Sequence, residues 1–281
     1  LKVAIATFAA IPDGGAEAAL LRSSLASLGV TAEPLAWDDP EADWSSYDLT
    51  VIRSTWDYTE RLDEFLAWAD ALPNVANPAA VLRWNTDKRY LRELAEAGVP
   101  TVPTLWDPDD IPTDWDEFVI KPAVSAGSRD TARWRRGEED EQARAHLAAL
   151  RGRPTMVQPF LSAVDTEGET ALVYCDGEFS HAARKGPILR AGAGVEGLVT
   201  GEDGRGAITP ARATEAQLAL ADRALSAIPG NPDILYARVD MVTGPDGAPI
   251  LMELELAEPA LFLDHTPEAP DRFAKAIAAR L

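Results

Sequence analysis

The sequence predicts an α/β protein in three lobes, the first built on a parallel sheet and the later two mixing helices with antiparallel strands. Three observations carry this expectation. Strand-like and helix-like stretches alternate through the first third of the chain. Hairpin signals centred on glycine recur further on. The 281 residues also exceed what one core commonly organises.

The first strand is Lys2 to Phe8, short and apolar. Ala16 to Gly29 has apolar residues at helical spacing and stops at a glycine. "VTAEPLAW" and "DLTVIRS" read as two more strands, and Glu60 to Leu72 as an amphipathic helix. This order implies a small parallel sheet with helices on its faces, a first domain over 1–77. Leu72 to Pro78 reads as its linker.

A second unit, 78–154, opens on a helix expected from Asn85 to Ala97 and closed by Gly98. A stretch rich in Pro and Asp follows and reads mostly as loop. "FVIKP" (Phe118 to Pro122) is a strand stopped by proline. A polar loop, "TARWRR" and a helix from Glu138 to Leu150 complete the unit. The third unit, 155–281, begins with the strand "TMVQPFL". Two strand-like runs flank Asp176-Gly177. Ile188 to Pro210 is glycine-rich and reads as a mobile loop, with Ala191 to Gly206 as a candidate lid. Thr214 caps a helix. An acidic strand pair comes next, and a helix from Pro270 to Arg280 ends the chain.

Composition narrows the function. With 46% hydrophobic and 26% charged residues, the chain has the make-up of a folded globular protein. A formal charge of −20 repels phosphate backbones and argues against nucleic-acid binding. The one basic patch, Arg129 to Arg136, is diluted by Asp130. A single cysteine, Cys175, excludes an internal disulfide, and His146, His181 and His265 lack zinc spacing. No stretch is long and apolar enough to span a bilayer and no signal peptide is visible, so a cytoplasmic location without membrane partners is expected.

The chemistry concentrates near the C-terminus, in "ILYARVDMVTGPDGAPILMELELAEP". Asp240 lies on one strand; Glu253 and Glu255 lie on the next and point the same way. A turn at Pro245, Asp246 and Gly247 would fold the strands together and bring three carboxylates to one spot. Like charges that close call for a cation, and oxygen donors without Cys or His favour Mg²⁺. A hairpin with a wet acidic face is the plainer alternative. Arg238 shares a face with Asp240, as a charge balancer or as a clamp for a developing oxyanion.

Elsewhere, Lys121 closes its strand just before Ser125-Ala126-Gly127-Ser128, a loop small enough for backbone N–H groups to approach phosphate oxygens. The Walker A pattern is missing, and an ordinary turn beside a solvated lysine fits too. Lys88 sits in the first turns of a helix, as a phosphate ligand or a surface ion-pair member. The strand around Gln158 pauses at Pro159, which leaves backbone groups for an adenine edge or marks a sheet edge. Asp165 and Glu169 follow, as ribose ligands or turn caps. Arg53 stands at a strand's C-terminal end, where ligands of open α/β sheets bind, although a surface salt bridge is the alternative.

The order of these pieces resembles the ATP-grasp superfamily of carboxylate ligases. It runs from a lysine before a helix and a lysine ending a strand to a Ser/Gly loop, a strand-plus-Pro hinge, and then R-x-D and E-x-E on paired strands. "LRWNTDKRYLRELAEAGVPTVPT", "VQPFLSAVDTEGETALVYCDGEFSHAARKG" and "LMELELAEP" are similar to the O-ureido-serine cyclo-ligase of D-cycloserine biosynthesis and its relatives. The resemblance covers nearly the whole chain. It implies an ATP-grasp fold behind a parallel α/β N-terminal domain, with ATP and two Mg²⁺ ions as cofactors and a small carboxylate substrate as partner. Homodimers occur among such relatives.

The roles it implies are as follows. Lys88 and Lys121 contact the α- and β-phosphates, and Ser125, Gly127 and Ser128 cover the phosphates. Gln158, Phe160 and Leu161 hold adenine, and Asp165 reaches the ribose. Lys185 approaches the γ-phosphate, and Arg238 stabilises the tetrahedral centre. Asp240, Glu253 and Glu255 hold metal, although the superfamily usually has Asn where this chain has Glu255. Beyond what the resemblance implies, Arg53, Ser54 and Trp56 of the N-terminal lobe and Glu169, His181 and Arg184 of the C-terminal lobe are expected to face the substrate. The implied reaction activates a carboxylate as an acyl phosphate for attack by a nitrogen nucleophile. Cyclisation, intermolecular ligation and a non-catalytic nucleotide-binding module are the competing readings.

Overall fold

The computed structural model describes residues 1–195, 197 and 207–281. The first lobe comprises β1 (Lys2–Thr7), α1 (Gly15–Ser27), β2 (Thr31–Ala36), β3 (Leu49–Ser54), α2 (Leu62–Ala71) and β4 (Val75–Ala76). Its strands form a parallel sheet in the order β2-β1-β3-β4. Five of the six β1 residues are buried, as expected of a parallel strand covered on both faces. Helix α1 buries Ala18, Leu21 and Leu25, a stripe at helical spacing. The stretch expected as a linker is anchored instead. It contains β4, and the buried Asn77 side chain donates to the carbonyls of Tyr236 (2.9 Å) and Leu256 (2.7 Å) and accepts from the N–H of Leu235 (2.7 Å). An amide so placed has both ends satisfied by backbone, which ties this segment to a distant strand pair.

The helix expected over Asn85 to Ala97 begins later, as α4 (Tyr90–Glu96), after a break that separates it from an earlier helix, α3 (Ala79–Asn85). Lys88 lies in the break, where its backbone N–H donates to the Ala123 carbonyl (2.9 Å). This tertiary bond competes with continuation of the helix. The middle sheet is antiparallel, in the order β5-β8-β6-β7, from β5 (Leu105–Trp106), β6 (Glu117–Pro122), β7 (Ala132–Arg135) and β8 (Thr155–Pro159). Burial alternates along β6, and its inner residues Phe118 and Ile120 pack with Trp134, Val157 and Leu147 of α5 (Asp140–Ala149). The strand β8 pairs with β6. The middle unit therefore runs past the boundary expected at residue 154.

The last lobe holds α6 (Ala163–Glu167), β9 (Glu169–Cys175), β10 (Glu178–Lys185), β11 (Ile208–Ala211), α7 (Glu215–Ser226), β12 (Tyr236–Thr243), β13 (Pro249–Glu255) and α8 (Ala269–Ala278). Its sheet is antiparallel in the order β11-β10-β9-β12-β13. The turn between β9 and β10 places Asp176 (φ 53°) and Gly177 (φ 78°) in the left-handed region, the conformation a two-residue hairpin of matching twist requires. Thr214 and Gln217 form a reciprocal capping box at the start of α7. β11 occupies part of the stretch expected as loop, because Ile208 to Ala211 pairs along β10. Most of the candidate lid, 196 and 198–206, lies outside the described residues.

Apolar packing divides the lobes unevenly. Residues of β1, β3 and α1 share one core with Val173, Tyr236 and Phe273 of the last lobe. The other face of the last sheet packs on α4 and α7. The middle sheet and α5 keep a separate core.

Candidate active site

Direct pairing in an antiparallel sheet puts opposed residues on one face. Lys185 opposes Glu169, Ala171 opposes both Ala183 and Asp240, and Val173 opposes both His181 and Arg238. Across the next ladder Arg238 opposes Glu255 and Asp240 opposes Glu253. One sheet face thus gathers Glu169, Lys185, Arg238, Asp240, Glu253 and Glu255. The small residues Ala171 and Ala183 at its centre leave room for the long charged side chains.

These groups form a chain of ion pairs. Asp240 accepts from Arg238 Nε and Nη2 (2.8 Å each) and from Lys185 Nζ (2.9 Å). Lys185 also donates to Glu169 (2.7 Å), Arg238 pairs with Glu255, and Lys121 donates to Glu253 (2.8 Å). Burial alone would neutralise Asp240, yet Arg238 and Lys185 outweigh it and hold the carboxyl below its usual range. Glu253 is held well down against burial by Lys121 and Lys88. Glu255 goes the other way. Burial, with Asp240 and Glu253 beside it, pushes it up despite Arg238.

The ion-paired face forms one wall of a cavity of about 250 Å³. The middle lobe supplies Lys121, Ser125, Gly127 and Ser128, then Gln158, Phe160 and Leu161; the first lobe supplies Trp56 and Tyr58. Lys88 Nζ donates to the Ser125 carbonyl (2.7 Å), which fixes the start of the small-residue loop. Gln158 is buried and donates to Thr104 Oγ1 (3.0 Å). The Arg133 guanidinium lies 3.4 Å from the centroid of the Phe160 ring.

The expected convergence of three carboxylates on one spot differs from what is found. Among the described residues no three His, Cys, Asp or Glu side chains meet in a metal-binding cluster. Glu253 is drawn toward Lys121 while Asp240 and Glu255 share Arg238, and Asp240 is buried behind the cavity wall rather than lining it. The donor set still suits Mg²⁺. It is all oxygen, and Asp240 and Glu253 add to burial in lifting Glu255, a crowding of carboxylates that a cation would relieve.

Besides Asp240, five residues expected at the site do not line the cavity. Arg53 is buried at the end of β3, where it pairs with Glu17 (3.0 Å) between the rings of Tyr236 and Phe273. Ser54 is buried beside it and donates to the Gly14 carbonyl (3.4 Å). Asp165 pairs with Arg133 (2.8 Å). His181 donates through Nε2 to the Leu261 carbonyl (2.8 Å), and burial pushes its pKa down, so it is a neutral structural imidazole. Arg184 follows directly before Lys185 on β10, so alternation turns it to the opposite face, where it donates to the Glu167 carbonyl (2.8 Å).

Sequence reasoning missed Glu258, which is 9% exposed and lines the cavity. The segment that carries it, 256–262, is pinned by side chains from the first lobe, from α3 and from the last lobe. The Leu256 N–H donates to Asn85 Oδ1 (2.7 Å), and the Ala257 carbonyl accepts from the Tyr236 hydroxyl (2.7 Å). The Glu258 carbonyl accepts from Trp56 Nε1 (3.1 Å), and the Ala260 carbonyl from Arg238 Nη1 (2.9 Å). The N–H groups of Leu261 and Phe262 donate to Glu17 (3.0 and 2.7 Å). The available signal was the third acid of E-x-E-x-x-E, but it falls in a segment with no strand periodicity.

Comparison with known proteins supplies the relationship. The chain is 37% identical over 276 residues to the cycloserine biosynthesis protein DcsG of Streptomyces lavendulae, covering 91% of this chain and 90% of the relative. The chain belongs to the DcsG family of ATP-grasp ligases. The profile of the N-terminal domain of D-cycloserine synthetase DcsG matches residues 3–80. The crystal structure of D-cycloserine synthetase DcsG superposes with a TM-score of 0.88 at 34% identity, covering 100% of this chain and 99% of that one. The ATP-grasp ligase PsnB, solved with a minimal precursor, Mg and ADP, matches at a TM-score of 0.62 and 16% identity over 99% of this chain and 97% of that one, a likeness of fold. DcsG membership makes this chain an ATP-dependent ligase of the carboxylate–amine class. Among the described residues no helix is long and apolar enough to cross a membrane.

Proposed function

We propose that this protein activates the carboxylate of a small amino-acid derivative as an acyl phosphate, which a nitrogen of the same molecule then attacks to close a ring. The observation that carries the reading is the ion-paired sheet face opposite the Lys121 and Ser125 elements, in a chain 37% identical to a cycloserine biosynthesis protein. On this reading Gln158, Phe160 and Leu161 bind the adenine of ATP. Lys88, Lys121 and the loop Ser125 to Ser128 bind its phosphates. Lys185 faces the γ-phosphate. Bound Mg²⁺, as two ions on Asp240, Glu253 and Glu255, would neutralise charge on the transferring phosphoryl group.

The substrate carboxylate oxygen bonds to the γ-phosphorus and ADP leaves. The nitrogen then bonds to the carbonyl carbon, and phosphate leaves. Arg238, buried and rigid, is the cation for the oxyanion between those events. Trp56 and Glu169 are the substrate-facing groups retained from the sequence reading. Three units, one per sheet, organise this work, with the middle one extended through Pro159.

The test is phosphate release from MgATP with amino-acid derivatives, singly and in pairs, including both enantiomers of O-ureido-serine. Release with a single compound is the expected outcome. Release only with a carboxylate and a separate amine makes the enzyme intermolecular, and no release with any compound overturns the ligase reading.

A further inference from the structure

Glu258 differs from every other carboxylate that lines the cavity. Glu169 pairs with Lys185, Glu253 with Lys121 and Glu255 with Arg238. Glu258 has no ion-pair partner among the described residues, although it is buried to the same degree as a core side chain. Its polar neighbour is Tyr58, whose hydroxyl hydrogen-bonds its carboxyl. Its backbone carbonyl is held by Trp56, and both aromatic side chains line the cavity with it. A buried carboxylate without a counter-ion is costly, and the arrangement persists where something else brings the charge. A carboxylate backed by electron-rich rings is suited to a primary ammonium, which donates a charge-assisted hydrogen bond to the carboxylate and makes a cation–π contact with the rings.

We propose that Glu258, flanked by Trp56 and Tyr58, is the subsite for the ammonium group of the substrate. This deepens the ligase reading above and rests on it for the identity of the molecule bound. It restricts the substrate to carboxylates that also carry a free amine. It also fixes orientation, because the pinned segment 256–262 holds Glu258 and the Ala260 carbonyl on Arg238 in one rigid piece. With its ammonium on Glu258, a substrate presents its carboxylate toward Arg238.

The charged surroundings agree. The groups that face Glu258 are Glu255 on β13, Arg238 on β12, Lys88 between α3 and α4, and Tyr58 of the first lobe. Burial, then Glu255, lift its carboxyl to about 8, against Lys88, the Tyr58 hydrogen bond and Arg238. At neutral pH the empty site holds a proton, which the arriving ammonium displaces to solvent. Affinity for an amine-bearing ligand therefore rises with pH toward about 8 and then levels off.

The experiment compares O-ureido-serine with 3-(ureidooxy)propanoate, the same molecule without its amine. Binding of each to wild type and Glu258→Gln is measured by titration calorimetry with Mg²⁺ and a non-hydrolysable ATP analogue, and ADP release from ATP is followed in parallel. Wild type is expected to bind the amine-bearing compound about 50-fold more tightly, the worth of one charged hydrogen bond. Glu258→Gln should lose that preference while its affinity for 3-(ureidooxy)propanoate and for the ATP analogue stays within about twofold. Glutamine is isosteric with the protonated acid, so folding is retained. Equal weakening toward both compounds, a raised Mg²⁺ requirement in the variant, or no preference in wild type (failure of both to bind included) overturns the ammonium site. Amine-dependent binding without ADP release leaves the site standing and overturns the ligase reading instead.

Discussion

Two strand ends in this molecule bury an arginine, and their surroundings differ in one respect. At the end of β3, Arg53 is 5% exposed and faces Glu17, with aromatic rings packed around the pair. On β12, Arg238 is 6% exposed and faces both Asp240 and Glu255. Around Arg238 the carboxylates Glu169, Asp240, Glu253, Glu255 and Glu258 outnumber the cations Lys88, Lys121, Lys185 and Arg238 by five to four. The first cluster is matched and closed over by aromatic side chains, and it joins lobes. The second has one carboxyl more than it has cations, beside open space, and the extra one, Glu258, keeps its proton at neutral pH until a cation arrives. Burial of a charged residue does not by itself mark a site; the unmatched remainder does.

The sharpest way to break this comparison is to remove each arginine in turn. Arg238→Ala should lower kcat/KM by about 10³-fold, the scale of losing an oxyanion donor, as read by ADP release. Arg53→Ala should instead cost about 3 kcal/mol of stability in urea unfolding and leave the KM for ATP within about twofold. An Arg53 variant of normal stability and poor substrate KM would reverse the assignment. Lys121→Ala should reduce kcat/KM for ATP by about 10²-fold, because a phosphate ligand is lost and Glu253 is left uncompensated.

A smaller effect reads the surplus carboxyl directly. The carboxyl of Glu258 sits at about 8 in the folded protein, above its unfolded value, so the folded state binds the extra proton. Its contribution to stability is greatest below the unfolded pKa and is lost as pH rises toward about 8. Thermal unfolding of the empty protein from pH 5 to 9 should show wild type losing Tm relative to Glu258→Gln, with most of the change complete by pH 8. A constant offset would show that Glu258 is already matched. Smallest of all, Arg184→Ala should leave activity within about twofold, since its side chain lies on the far face of β10.

Much of the site was legible because its signals are short-range. The turn at Pro245 to Gly247 announced the β12–β13 pairing, but its register continued would oppose Asp240 to Met252; a shift between Asp240 and Met241, which no sequence signal marks, sets Asp240 opposite Glu253 and Arg238 opposite Glu255. Lys121 and the Ser125 loop followed from a strand that ends in proline. Arg184 is expected to face the substrate, yet alternation along β10 turns it off the face that carries Lys185. Arg53 was misplaced for a different reason. Its partner Glu17 is thirty-six residues away on α1, and no local signal announces that pairing. Lys88 was read into a continuous helix because the bond that breaks the helix comes from Ala123, a contact of the folded state alone. β11 hid in glycine-rich sequence, since pairing with β10 rather than propensity makes it a strand.

Asn77 carries a mechanical consequence. Its amide stitches the edge of the N-terminal sheet to the strands that bear the acidic residues, and the two share one apolar interior. The N-terminal sheet and the acidic wall are therefore packed as one unit. The middle sheet keeps its own interior. Lys121 at the end of β6 reaches across from that separate interior to the acidic wall through its ion pair with Glu253.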